Sequence, residues 1–235
     1  TIRDSFDRHR ASPEVSVDEY VRRRNIELGE WVMARERVYL DKCFWIILCN
    51  ARANRTDDPA AHALLDGLAL GVKQGRRVCP VSDALFFELM KQTDPQSRLA
   101  TADLIDELSC GVTLAPHPTR VATEIAHLFH VRAGHKVHAL EVLIWSKLSH
   151  VLGTQHPVST AFPPAEQVVI QKAFFDHMWS IPLRQMVETM GDARPPESPS
   201  PDLAARLNRD NAAHAAQMKS FAQVYKDEVY GVLDL

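Results

Sequence analysis

The stretch Val38-Tyr39-Leu40-Asp41-Lys42-Cys43-Phe44-Trp45-Ile46-Ile47-Leu48 decides how the chain is read. A short apolar run comes first, a helix-like run beginning at Cys43 comes last, and Asp41 stands at the junction. A carboxylate between a strand and the helix that follows it sits at the carboxyl edge of a sheet, where open α/β folds hold their ligands. A second strand-like run, Val78-Cys79-Pro80-Val81, leads through Ser82 into Leu85-Phe86-Phe87-Glu88-Leu89-Met90, where Glu88 is a lone acid among apolar residues. Gly111-Val112-Thr113-Leu114 reads as a third strand. Three short strands separated by helices predict a parallel sheet, because adjacent parallel strands need long crossovers.

Outward from that core, start and stop signals place the helices. One covers residues 43–54, and the turn Arg55-Thr56-Asp57-Asp58-Pro59 opens a second over 60–74 that stops at Gly75. Ser82 caps a third running to Lys91, and Asp94-Pro95 opens a fourth running through Ser109. Ahead of the first strand, Val17, Tyr20, Val21, Leu28 and Trp31 recur at helical spacing, which predicts an entry helix over 16–34. From Pro118 onward the periodicity is helical, over 120–131, 138–152, 164–190 and 201–230, with no further strand expected. The reading is an α/β fold, a small parallel sheet flanked by helices, with a helical C-terminal extension. Its parts are an N-terminal helical segment (1–35), an α/β core (36–150) and the extension (151–235), which carries a proline-rich loop at 192–201.

Of the 235 residues, 46% are hydrophobic and 24% charged, the balance of a folded globular chain. A net charge of −3 supplies no long-range attraction to polyanions and leaves local phosphate contacts to clusters such as Arg22-Arg23-Arg24. The four cysteines lack metal-ligand spacing and read as reduced core residues, and no run approaches the roughly 18 apolar residues of a membrane span. Thr1-Ile2-Arg3-Asp4 does not read as a signal sequence, so the expected setting is cytoplasmic, without a membrane partner. A start without Met and a stop directly after a helical run read as a fragment, in which further acids would lie past Leu235. There is no Gly-x-Ser-x-Gly, phosphate-binding Gly loop or Cys-x-x-Cys, which removes serine hydrolase, P-loop and dithiol chemistry.

The chemistry is expected at Asp41 and Glu88. Helical side chains lean toward their own N-terminus, which tilts Glu88 back to the sheet edge where Asp41 emerges. Converging carboxylates repel unless a hard cation neutralises them, and Mg²⁺ accepts one or two carboxylates while keeping several waters. The plainer roles are a helix N-cap for Asp41 and a paired surface acid for Glu88. Asp103, Asp106 and Glu107, in the helix before the third strand, read as a solvated face.

The run Val38-Tyr39-Leu40-Asp41 with Trp45 in the following helix, then Val81-Ser82 with Glu88-Leu89, resembles the first two motifs of PIN-domain (PilT N-terminus-like) ribonucleases, in a long PIN-like variant. The resemblance spans roughly residues 36–115. It implies a cluster of three or four acids holding Mg²⁺ or Mn²⁺ and metal-dependent hydrolysis of RNA, often single-stranded. Asp41 matches the first acid, Glu88 the second, and Ser82 a small polar position of the substrate site. Where the family has a small hydroxylated residue and Asn after the first acid, this chain has Lys42 and Cys43. Glu141, in Glu141-Val142-Leu143-Ile144, is the candidate third acid, with Asp176 and Asp227 weaker ones. Arg132 and Lys136, with His135 and His138, are candidate phosphate contacts.

Two other readings stand beside the nuclease. One is a catalytically degenerate PIN-like interaction protein, with Lys42 replacing the charge of the cation and a protein partner such as an antitoxin, a complex subunit or a second copy. The other is a helical carboxylate/His metalloprotein built on Glu124-Ile125-Ala126-His127, with His135, His138 and Glu141 recurring three apart.

Overall fold

Each strand of this chain is short, and the helices between them have explicit stop and start signals, so the sheet is narrow and its wrapping thick. The computed structural model describes residues 2–152, 162–192 and 209. Residues Thr1–Asp192 form one compact unit and Ala193–Leu235 a second. The proline-rich loop, the helix expected over 201–230 and Asp227 lie outside the described residues.

Strand β1 (Glu36–Arg37) pairs in parallel with β2 (Arg77–Val78), with Glu36 opposite Arg77 and Arg37 opposite Val78. The pairing runs on past the strand ends, since Val38 N–H donates to Val78 O at 3.0 Å. The chain after β2 then turns to its other neighbour: Val81 bridges Thr113 in parallel, within β3 (Val112–Leu114). Strand β4 (Trp145–Lys147) closes the far side antiparallel to β3, with Thr113 opposite Ser146. The molecule is thus a mostly helical mixed α/β fold with two two-stranded sheets among the described residues; β1 lies just ahead of the expected Val38–Leu40 run, and the expected third parallel strand, β3, pairs antiparallel with β4 and meets the parallel part only at the Val81–Thr113 bridge.

Strand β4 corrects the helix expected over 138–152. The apolar run Val142-Leu143-Ile144-Trp145 satisfies a buried strand as well as a helix, and periodicity alone does not separate the two. The open edge of β3 decides, because it supplies partners that a helix would leave unpaired. On either side of β4 only single turns survive, α8 (Leu140–Leu143) and α9 (Leu148–Val151).

Helix α2 (Val17–Met33) is capped by Ser16, whose hydroxyl accepts from Glu19 N–H at 3.1 Å. Helices α4 (Pro59–Lys73) and α6 (Pro95–Ser109) each begin with an Asp cap and a Pro in the first turn, a pairing that spends no needed N–H. Helix α3 (Lys42–Arg52) and helix α5 (Asp83–Met90) start at the carboxyl ends of the first two strand segments. Alternate residues of the sheet point to opposite faces. Val78 and Val112 join Tyr20, Val32, Phe175 and Trp179 on one face. Cys79 and Val81 join Leu40, Trp45, Leu48, Phe86, Leu104 and Leu108 on the other. Trp45 is 1% exposed, and its indole N–H is satisfied by Leu40 O at 3.1 Å.

The N-terminal region is not a separate segment. Helix α1 (Ile2–Arg10) packs on α10 (Pro164–Trp179), and α2 packs on α8, β4 and α10. The helix expected over 164–190 breaks at Ser180-Ile181-Pro182 into α10 and α11 (Leu183–Asp192), since Pro182 has no amide to continue the ladder. At Gly29 the contact between α2 and α8 is so close that a Cβ would stand 1.9 Å from Val142 O. Gly29→Ala is therefore expected to force α8 off α2 and cost about 3 kcal/mol, read as a lowered urea midpoint.

The acidic residues of α6 also depart from expectation. Asp106 accepts from the Leu183 and Arg184 backbone N–H groups at 2.7 and 2.9 Å, so it caps α11 from a different helix. Burial pushes its carboxyl up, and the two backbone bonds pull it back. Asp103 pairs with Arg184, and Glu107 with Arg52. What reads as a solvated face is the seat of a helix, because the four free N–H groups at the start of α11 need acceptors.

Candidate functional site

Asp41 holds the N-cap position of α3 with extended backbone, yet its side chain makes no capping bond. The carboxylate is exposed, and among the described residues its one side-chain hydrogen bond is a long one from the Cys43 thiol at 3.5 Å. The plain capping role open to Asp at such a junction is therefore not the one it plays. Glu88 lies in the second turn of α5, which starts at the neighbouring strand segment. Its carboxylate is 3.7 Å from the Lys42 ammonium, and Lys42 directly follows Asp41 in the chain. Glu88 is thus tied by a salt bridge to the residue that follows Asp41, while Asp41 itself has no ion pair among the described residues.

That bridge is weak. Both side chains are about two-fifths exposed (39% and 43%), and ion pairs of this kind contribute about 0–1 kcal/mol. Ser82 is a helix cap: its hydroxyl accepts from Leu85 N–H at 3.4 Å and lies 3.2 Å from the Tyr39 hydroxyl. Tyr39 and Phe87 flank the acids in sequence and are largely open to solvent, at 58% and 57%. Neither aromatic stands out as a site residue from sequence alone. Phe87 had a signal, since it falls off the face formed by Leu85, Phe86 and Leu89, all buried.

The remaining candidates lie elsewhere. Glu141 is on α8, which packs against α2 and against α7 (His117–Arg132), and its side chain is exposed. Among the described residues no three His, Cys, Asp or Glu side chains gather closely enough to hold one ion, so Glu141 does not join Asp41 and Glu88. Arg132 ends α7, and Lys136 follows in a non-helical segment, both exposed. Gly134, at φ +75°, turns the chain out of the helix. His135, His138 and Glu141 consequently share no helix with Glu124 and His127. His127 hydrogen-bonds the backbone oxygen of His138 at 3.1 Å, and His130 meets His135 at 2.9 Å between Nδ1 atoms.

Asp176, weak as a metal candidate, is the most heavily bonded acid described. It accepts from Tyr20, His9 and Ser5, with Arg8 at 3.3 Å. All four cysteines are free: Cys79 is buried and its thiol pushed up to about 11 by that burial, Cys49 and Cys110 are half-buried, and Cys43 is exposed beside Asp41. The core reading therefore fits Cys79 best and Cys43 least. No described helix is long and apolar enough to cross a membrane. No protein-family model, no curated protein and no solved structure matches this chain.

Proposed function

We propose that the protein is a PIN-like, divalent-metal-dependent endoribonuclease that works at Asp41 and Glu88. The observation carrying this reading is the Asp41 carboxylate, which stands at a strand-end N-cap position and caps nothing while a second acid reaches the residue beside it. Two carboxylates match the modest protein share that Mg²⁺ or Mn²⁺ takes, with water filling the other positions. A cation of this kind supplies Lewis-acid stabilisation of a phosphodiester oxygen and a water of lowered pKa. Asp41 and Glu88 are the residues that would hold such a cation. The exposed rings of Tyr39 and Phe87 offer stacking faces for unpaired bases, which supports a single-stranded RNA substrate.

A second reading, a scaffold that has lost catalysis, is favoured by two observations. Lys42 already neutralises Glu88. Helix α7 has no buried residue and exposes Ile125, Leu128, Phe129 and Val131. An apolar helix face of this sort suits a protein partner.

Manganese titration followed by thermal unfolding separates the two. The nuclease reading expects Mn²⁺ to raise the melting temperature of the wild type and to bind about tenfold more tightly to Lys42→Met, where the competing ammonium is gone. Glu88→Gln should abolish the rise. A flat response in both wild type and Lys42→Met would reject metal binding here and leave the scaffold.

A further inference from the structure

Away from the acid pair, helices α1, α2 and α10 line a solvent-open cavity of about 330 Å³ whose walls include Arg8, Arg23, Arg24, Lys172, His9 and Glu27. Its charges do not cancel. Arg23 and Arg24 share one carboxylate, Glu27, at 3.9 and 3.1 Å, and Arg8 reaches Asp176 at 3.3 Å. With Lys172, on which Glu14 acts, four cations face three acids.

Two donors at this cavity are also unspent. Arg24 Nε is buried without a hydrogen-bond partner. Lys172, 1% exposed, donates to Ser12 O at 2.9 Å and Val15 O at 3.0 Å, and its third proton has no acceptor among the described residues. A buried donor left unmade is costly, and a surplus of positive charge at the cavity favours an anion.

We propose that this cavity binds a phosphate monoester group. The anion matches the sign of that surplus, and its several oxygens can accept from the Arg24 guanidinium and the Lys172 ammonium at the cavity wall. At this volume, the lower end for small-molecule sites, there is room for more than the phosphate alone. The site stands apart from the acid pair, so it holds whether or not RNA is cleaved.

Isothermal titration of the full chain, with inorganic phosphate in one arm and a nucleoside 5′-monophosphate in the other, tests this at fixed ionic strength set by chloride. Saturable binding is expected, about tenfold weaker in Arg24→Gln and unchanged in Arg22→Gln, an exposed neighbour on the same helix. Asp41→Asn should bind like the wild type, which separates this site from the nuclease reading. Tighter binding of the nucleotide would assign the ligand as a nucleotide, and equal binding as free phosphate; both support the site. No heat beyond the chloride control, or equal affinity in Arg24→Gln, would overturn it.

Discussion

Asp176→Ala is expected to destabilise the fold by about 3–5 kcal/mol, the usual cost of removing one partner from a buried charged network. Its side chain is only 14% exposed, and it gathers Ser5 and His9 from α1 and Tyr20 from α2 onto α10. Taking it away strands three polar groups at once. Arg8, with a side chain 67% exposed, contributes little of this. Burial pushes the Asp176 carboxyl up, but hydrogen bonds from Ser5, Tyr20 and His9 outweigh it and hold the group below the ordinary carboxylate range. Burial also pulls the His9 imidazole down, more than Asp176 lifts it, so at neutral pH the pair is a neutral imidazole bonded to a carboxylate.

The pH dependence follows from both signs. As pH falls below 6.5 the unfolded His9 takes up a proton before the folded one does, so stability declines. A second decline begins near 3.8, where the unfolded Asp176 protonates while the folded group still holds its charge. Urea unfolding from pH 7 to pH 3 should register both contributions in the wild type, with the lower one missing in Asp176→Asn. An Asp176→Ala variant as stable as the wild type would show that α1 needs no polar anchor on α10.

How legible was this fold in its sequence? The elements written in local chemistry were plain: Ser16, Ser82, Asp58-Pro59 and Asp94-Pro95 mark helix starts that the structure keeps. Features that depend on distant partners were not. Strand β4 forms because β3 has an open edge, and Asp106 is half-buried because α11 needs a cap, although the two sit more than seventy residues apart. Asp176 looked like one acid among thirty, since its partners come from helices over 150 positions away. Asp41 stands out in the sequence because it sits at a strand-to-helix junction, whereas the approach of Lys42 to Glu88, in the second turn of α5, depends on packing between two helices and left no local mark. Glu141 resembled a third acid by local pattern, but the short α8 carries it against α2 and α7.

Asp41→Asn is expected to reduce metal-dependent RNA cleavage by at least about a hundredfold, with the melting temperature unchanged. The two halves of that outcome have separate causes. Stability is spared because, among the described residues, the side chain caps no helix and pairs with no cation, and it is bonded only by the exposed Cys43 thiol. The amide keeps the shape and loses the charge, so it can no longer offset a divalent ion beside Lys42, whose ammonium then dominates the local field. Glu88 alone, already shared with that ammonium, is a poor substitute. Cleavage of a fluorophore-labelled single-stranded RNA in Mn²⁺, with and without chelator, measures the effect. Combining Asp41→Asn with Lys42→Met adds a second check: charge repulsion predicts partial recovery of Mn²⁺ binding, because one unopposed positive charge is removed. If cleavage persists undiminished in Asp41→Asn and still depends on the metal, the ion is held elsewhere and the strand-end acids are not its ligands.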